Sequence, residues 1–288
     1  MTATRPPAKI GIWSLGLHSA DPGESRDAAA ELDELGFGSI WMPGGIDDKV
    51  LGDVELVLAA TRRATVATGI INIWKQSPAD LGAWWRSGVG NRDRVLLGLG
   101  ISHGPLIGSD YGNPVGRMQA YLDGLDSEGV PKEQLCLAAL GPRMLDLAAA
   151  RTAGAHPYLV PPEHTAVARE RMGPEAFLAP EQTVILETDP ARARAIARGA
   201  VAMYLGLPNY VNNWKRFGYT DEDVASGPSD RLCDALFAWG TLDQIGRRVQ
   251  AHFDAGADHV CLQVIEDNAT GPAPLPRQAW RELAGALL

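Results

Sequence analysis

Arg143-Met144-Leu145-Asp146-Leu147-Ala148-Ala149-Ala150-Arg151-Thr152-Ala153-Gly154-Ala155-His156-Pro157-Tyr158-Leu159-Val160 is the stretch that decides the fold. A helix-patterned run closes on a glycine, and an apolar, strand-like run starts at once. The same unit occurs twice more: 28–35 with Gly36 leads into 39–42, and 244–255 with Gly256 leads into 257–264. Glycine in each place suits the left-handed residue that ends a helix, and the runs that follow are rich in Ile, Val, Leu and aromatics. Helix–glycine–strand units at the start, middle and end of one chain predict alternating β and α elements on a parallel sheet. Such folds place their chemistry at the C-terminal ends of the strands.

Working outward, strand patterns cover 9–15, 39–42, 65–73, 94–100, 134–139, 155–160, 182–187 and 259–265. Helix patterns cover 22–35, 53–62, 78–88, 115–125, 142–153, 162–171, 190–205 and 274–288. Several helices open on proline, which suits a first turn where its missing N–H has no partner to lose. Eight strands alternating with eight helices predict a (β/α)8 TIM barrel. Further helical runs at 209–217, 221–225, 230–238 and 242–254 read as a helical insertion, about 207–240, leading into the last helix before the final strand. No linker divides the chain, so a single barrel domain over 1–288 is expected. The glycine- and proline-rich segment 104–114 is expected to be a mobile loop over the barrel mouth.

An apolar fraction of 45% with 21% charged residues is that of a soluble globular protein. The net charge of −9 argues against nucleic acid or an acidic membrane as partner. The amino terminus lacks a signal-peptide core, and a cytoplasmic location is expected. Cys136, Cys233 and Cys261 show no metal-binding spacing and read as buried thiols, so no metal site is expected.

At the strand ends, Ala67-Thr68-Gly69-Ile70-Ile71-Asn72-Ile73-Trp74 carries a glycine inside a strand, the mark of a bulge or of a close backbone approach. Leu97-Gly98-Leu99-Gly100-Ile101-Ser102-His103-Gly104 resembles the opening of a dinucleotide fingerprint but has no helix after it. Its glycines admit a flat ligand, and Ser102 and His103 offer polar groups, although a lone histidine is more often structural. Gly141-Pro142-Arg143 stops a strand and opens a helix whose free N–H groups favour an anion. His164, near the start of the next helix, binds phosphate or is solvated, the solvated reading being favoured. Trp13, Trp41 and Trp74 are barrel core taken singly, and a site for a planar apolar ligand if they share one mouth.

Over nearly its whole length the chain resembles the luciferase-like flavin or deazaflavin oxidoreductases, in particular the actinobacterial branch that uses coenzyme F420. The most specific stretches are 98–103, 137–145 with 154–159, and 207–213, with 229–232 through 257–261 also fitting. The resemblance implies a luciferase-type barrel with the deazaflavin ring across its mouth and a non-prolyl cis peptide, here Gly69–Ile70, behind the ring. It implies cofactor contacts from Trp13, Gly69, Ile70, Asn72, Gly100, Ser102 and His103, and tail contacts from Gly141, Pro142 and Arg143. Members of the wider family carry an acidic residue just past the second strand. Here Gly44 and Gly45 stand there, and the acids Asp47 and Asp48 come later. Either His103, the residue expected to handle a proton, or the substrate itself supplies it, or the reaction has been lost. The implied activity is hydride transfer between F420 and a small organic substrate, with a homodimer usual in the family. An FMN-dependent monooxygenase, a deazaflavin-binding barrel without catalysis, and a non-redox barrel enzyme acting on a phosphorylated substrate are the alternatives. The last wants a strand-end lysine, for which only Lys75 is placed.

Overall fold

Side-chain caps set where the helices begin. Asp21, Ser77, Asn113, Asp189 and Thr241 each accept a backbone N–H at the start of helices Pro22–Leu35, Pro78–Arg86, Pro114–Ser127, Pro190–Val201 and Leu242–Asp254. The computed structural model describes residues 5–45, 47, 49–88, 90–267 and 275–288. Its ten strands are β1 Ile10–Trp13, β2 Ser39–Gly44, β3 Thr65–Asn72, β4 Val95–Gly100, β5 Leu135–Leu137, β6 Gly154–Ala155, β7 Phe177–Leu178, β8 Glu181–Ile185, β9 Phe237–Trp239 and β10 Val260–Val264. All are parallel, in the order β7-β6-β5-β4-β3-β2-β1-β10-β8-β9.

β7 and β8 are two parts of one barrel strand, interrupted at Ala179 and Pro180. The Ala179 N–H donates to Ala155 O on one side (2.9 Å), while Pro180 O accepts from the Cys261 N–H on the other (3.1 Å). The curled sheet thereby closes on itself into the (β/α)8 barrel read from the sequence; seven of the predicted strands overlap their observed ones broadly, whereas the sixth, expected over 155–160, is only Gly154–Ala155. Side chains alternate across its wall: Ile40, Val66, Leu97, Leu137 and Leu262 face the helices, whereas Trp13, Trp41, Ala67, Leu96, Cys136, Phe177 and Cys261 form a separate buried cluster inside. The three cysteines are buried and free. Among the described residues no helix is long and apolar enough to cross a membrane.

Four local expectations need correction. Of residues 104–114, expected to form a loop, 104–111 are helical: a short helix, Gly104–Ile107, runs into a 3-10 turn, Gly108–Tyr111. The run 230–238 is helical only over Asp230–Leu236, after which Phe237–Trp239 pairs with β8 outside the barrel. The last helix is Arg277–Leu287, and its expected first residue, Pro274, lies outside the described residues, as does Asp48. Finally, Gly36 and Gly256 have the positive φ of helix ends, 98° and 97°, but Gly154 does not. It lies inside β6, where a Cβ would fall 1.7 Å from Phe177 O. Close strand approach, not helix capping, demands glycine there.

Gly154→Ala should therefore force β6 and β7 apart and cost about 3 kcal/mol. Denaturant unfolding followed by circular dichroism checks this, and a variant as stable as the parent would refute the packing argument.

Candidate functional site at the barrel mouth

The C-terminal ends of β2, β3 and β4 crowd around residue 70. A Cβ on Gly44 would stand 2.7 Å from Ile70 O, and one on Gly100 would stand 2.4 Å from Ile70 Cδ1. Strand pairing shifts on both sides of this point. Gly69–Ile70 is a cis peptide, as the resemblance implied. Gly69 O accepts a hydrogen bond from Trp13 Nε1 at 3.1 Å. Trp13, Gly69, Ile70 and Gly100 thus meet, with half-buried Ile70 forming an apolar floor. At Gly44, where the resemblance led to an acid, a Cβ would overlap Ile70 O and Val50, whereas a Cβ on exposed Gly45 would meet nothing within 4 Å.

The polar residues divide. Asn72 is buried, and its Oδ1 accepts from the Trp74 N–H at 3.0 Å, which ends the strand. Ser102 takes a left-handed φ of 59°, and its carbonyl accepts from the Tyr111 hydroxyl at 3.5 Å. His103 Nδ1 donates to Asn209 Oδ1 at 3.0 Å, and its ring leans on Tyr210 with centroids 5.5 Å apart. Burial lowers the His103 pKa against the opposing effect of the Asn209 hydrogen bond, so the imidazole is neutral at pH 7 and Nε2 keeps its lone pair.

Gly141 caps helix Pro142–Arg151 without side-chain help, and its carbonyl accepts from the Met144 and Leu145 N–H groups. Pro142 and Arg143 are exposed. A second arginine joins them from the insertion: Arg216 Nη1 and Nη2 lie 3.8 Å from where a Gly141 Cβ would stand. Arg216 also donates to Asn213 Oδ1 (3.4 Å), while Asn213 Nδ2 is buried without a partner. Asn209 and Arg216 belong to one helix, Pro208–Arg216, whose start holds His103 and whose end reaches Gly141, about 10 Å apart by helical rise. The two groups of predicted site residues are therefore bridged by the insertion.

Several residues of the mouth escaped the sequence reading. Tyr158 packs on Trp13 (5.8 Å) and on Tyr204 (5.8 Å), and its hydroxyl donates to Gln263 Oε1 at 2.8 Å. Buried Glu181 accepts from Thr183 Oγ1 and from the Leu159 N–H. Burial pushes its carboxyl up to about 7, against the lowering effect of these hydrogen bonds. Asn209 and Tyr210 lie within the stretch 207–213 that carries the resemblance, so a signal existed for them. Other readings are corrected. Trp41 is fully buried and stacked on His156 (4.1 Å), so it is barrel core. Trp74 donates to Ile101 O (2.8 Å) beneath the Arg117 guanidinium. His164 is buried rather than solvated, with Nε2 donating to Leu140 O at 2.9 Å. Among the described residues no group of His, Cys, Asp or Glu is arranged to hold a metal ion.

No protein-family model matches the chain, and no curated protein does. Solved structures do. An F420-dependent secondary alcohol dehydrogenase, in complex with an F420–acetone adduct, superposes with a TM-score of 0.71 at 14% identity, covering 100% of both chains. The coenzyme F420-dependent tetrahydromethanopterin reductase of Methanopyrus kandleri gives 0.69 at 17% identity, over 100% of this chain and 99% of that one. The oxygenating constituent of 3,6-diketocamphane monooxygenase from Pseudomonas putida, in complex with FMN, gives 0.66 at 15%, over 100% and 98%. The chain therefore shares its (β/α)8 fold end to end with these neighbours, whose names carry F420 or FMN.

Four buried imidazoles make the chain acid-sensitive. Burial holds His156 and His164 at about 4 and His252 and His259 at about 3. Their unfolded pKa is about 6.5, so protonation favours the unfolded chain, and the stability they provide is lost as pH falls below that value. Glu181, raised in the fold, acts oppositely between about 4.5 and 7. With four groups against one, stability should fall by on the order of 4 kcal/mol per pH unit between about pH 6 and 4.5. Urea unfolding at pH 7.5 and 5.5 tests this; equal stabilities would mean that the imidazoles are solvated.

Proposed function

We propose that the chain is an oxidoreductase moving hydride between a deazaflavin of the F420 type and a small organic substrate. One observation carries the reading: a single mouth joins an apolar floor at Ile70 to an arginine-flanked helix start at Gly141, through helix Pro208–Arg216. That arrangement suits a ligand flat and apolar at one end and anionic about 10 Å away. The residues fit such a group. Gly100 makes room for the Ile70 side chain on which the ligand plane would rest, Trp13 backs it, Ser102 and His103 edge it, and Asn72 shapes the strand end beside it. Arg143, Arg216 and the helix N–H groups after Gly141 hold an anionic tail. Bound there, the cofactor supplies the hydride chemistry itself. His103 then exchanges the accompanying proton at Nε2, its ring fixed by Asn209 and Tyr210. With glycine at 44 and 45, no side chain at those two positions does so. The FMN-bound neighbour favours a second reading, a flavin-dependent monooxygenase using the same floor and tail site.

Fluorescence titration of the purified protein with oxidised F420 and with FMN separates the two readings, and saturable binding of neither overturns both. Arg143→Ala and Arg216→Ala should each weaken cofactor binding by about 1–3 kcal/mol. His103→Ala should lower turnover about 10²–10⁴-fold while leaving cofactor affinity nearly unchanged. Loss of binding in that variant would instead make His103 a cofactor contact.

A further inference from the structure

Glu181 opens β8 in register with Cys261 of β10, which lies inside the barrel, so its side chain points inward; the residue is 1% exposed. Apolar side chains normally fill a barrel at this depth, and the hydride transfer proposed above makes no use of a carboxyl there. Its Oε1 accepts from Thr183 Oγ1, and its Oε2 accepts from the Leu159 N–H at 3.2 Å. Leu159 is buried and left-handed, with a φ of 51°, a conformation that a leucine keeps only where its surroundings impose it. The turn held in this way touches both halves of the mouth. Leu159 O accepts from Trp214 Nε1 at 3.1 Å, and buried Trp214 belongs to helix Pro208–Arg216. Tyr158, one residue earlier, packs on Trp13, whose Nε1 donates to Gly69 O. The groups facing the carboxyl are the Thr183 hydroxyl from its own strand, the Cys261 thiol from β10, and the phenols of Tyr158, Tyr204 and Tyr210 from under the cap. Behind Cys261, 3.7 Å from its Sγ, stands His156 Nδ1. Burial keeps the thiol and the phenols protonated at neutral pH and holds His156 at about 4, so none of these groups carries a charge there. Glu181, which burial pushes up to about 7 against its two hydrogen bonds, is the member of the cluster that changes charge near neutrality.

We propose that Glu181 is a positioning residue of this mouth: by accepting the Leu159 N–H it sets where Leu159 O holds Trp214, and so how helix Pro208–Arg216 sits over the floor. Loss of the carboxyl proton puts charge on the acceptor, and hydrogen bonds to a charged acceptor are shorter and stronger. The helix is therefore seated more tightly above neutral pH than below it. That a tighter seat favours the cofactor rests on the function proposed above, which puts His103 and the anionic tail at the two ends of this helix; the link from Glu181 to Trp214 does not rest on it.

Two resonances of the cofactor-free protein read the link, the Leu159 amide and the Trp214 indole N–H, followed from about pH 6 to 8.5. Both should titrate with one midpoint near 7. In Glu181→Gln, which keeps a neutral acceptor of the same shape, the chain should fold and both resonances should stay flat. Thr183→Val removes the other donor at nearly unchanged volume and should move the common midpoint up by about one pH unit, which a carboxyl with a merely structural role would not do. A flat Leu159 amide in the parent, a Trp214 indole that ignores the step, a titration that survives in Glu181→Gln, or a midpoint unmoved by Thr183→Val overturns the proposal. Through the same step, affinity for F420 or FMN should rise about 3–10-fold more in the parent than in Glu181→Gln, and equal pH dependence in the two would overturn the positioning role. Because the resonances are recorded without cofactor, failure of both cofactors to bind is read separately and counts against the proposed function alone.

Discussion

Where β2, β3 and β4 converge, three glycines stand where a Cβ would overlap the third strand: Gly44 and Gly100 against Ile70, and Gly98 within 2.0 Å of Thr68 O. Backbone overlap of this size is not relieved by a rotamer change, since the clashing atoms at 44 and 98 are main-chain oxygens. The crowding sets the rest of the mouth. It shifts the register on both flanks of β3, turns Ile70 across Gly100, and leaves a side-chain-free second strand end. A barrel with an acid at position 44 would need a different third strand.

The insertion solves a problem that this crowding creates. A floor without polar side chains orients nothing by itself, and helix Pro208–Arg216 supplies polar and aromatic groups at both ends of one rigid rod. Its inner face is buried: Trp214 is fully buried and donates to Leu159 O at 3.1 Å, and Tyr210 is in contact with Tyr204, Tyr158 and His103. Leu159, held at a φ of 51°, also donates its N–H to Glu181. One backbone unit therefore ties the seventh barrel strand to the cap. Asn209 and Arg216 lie on one helix, so helical rise sets the separation of its two ends.

The fold was legible because it rests on local signals. Proline at helix starts, glycine at 36 and 256, and runs of β-branched residues each act within a few positions. Glycines 69 and 100 were legible for the same reason, as both interrupt apolar strand patterns. What escaped depends on distant pairings. His103 finds Asn209 across 106 positions, His18 finds Asp53 across 35, and Arg216 meets Gly141 only after the chain has completed two more strands and the cap. Gly154 was misread because a local rule, capping, and a long-range one, the approach of Phe177 O, demand the same residue. The short β9 escaped because Phe237-Ala238-Trp239 continues the apolar pattern of the helix before it.

Electrostatics then separates structural from working polar groups. Ser39, Trp41 and His259 form a chain of short hydrogen bonds in the barrel, and between the barrel wall and its helices His252 is held between Thr165 and Gln182. Burial keeps both imidazoles neutral across the physiological range, so neither gains or loses charge where an enzyme operates. His156 is likewise neutral, with Nε2 enclosed near Gly69 and open to no solvent. Three of the chain's six histidines are thus structural parts of the barrel, and His164 is bound to Leu140 under the cap. The two that remain, His18 and His103, each have Nδ1 engaged by an oxygen, and Nε2 of His18 also faces Asp47 Oδ1 at 3.5 Å. They flank β3 from the β1 and β4 sides. Since the second strand end has no room for a side chain at position 44, the proton exchange proposed for this mouth falls to the β4 flank, at His103.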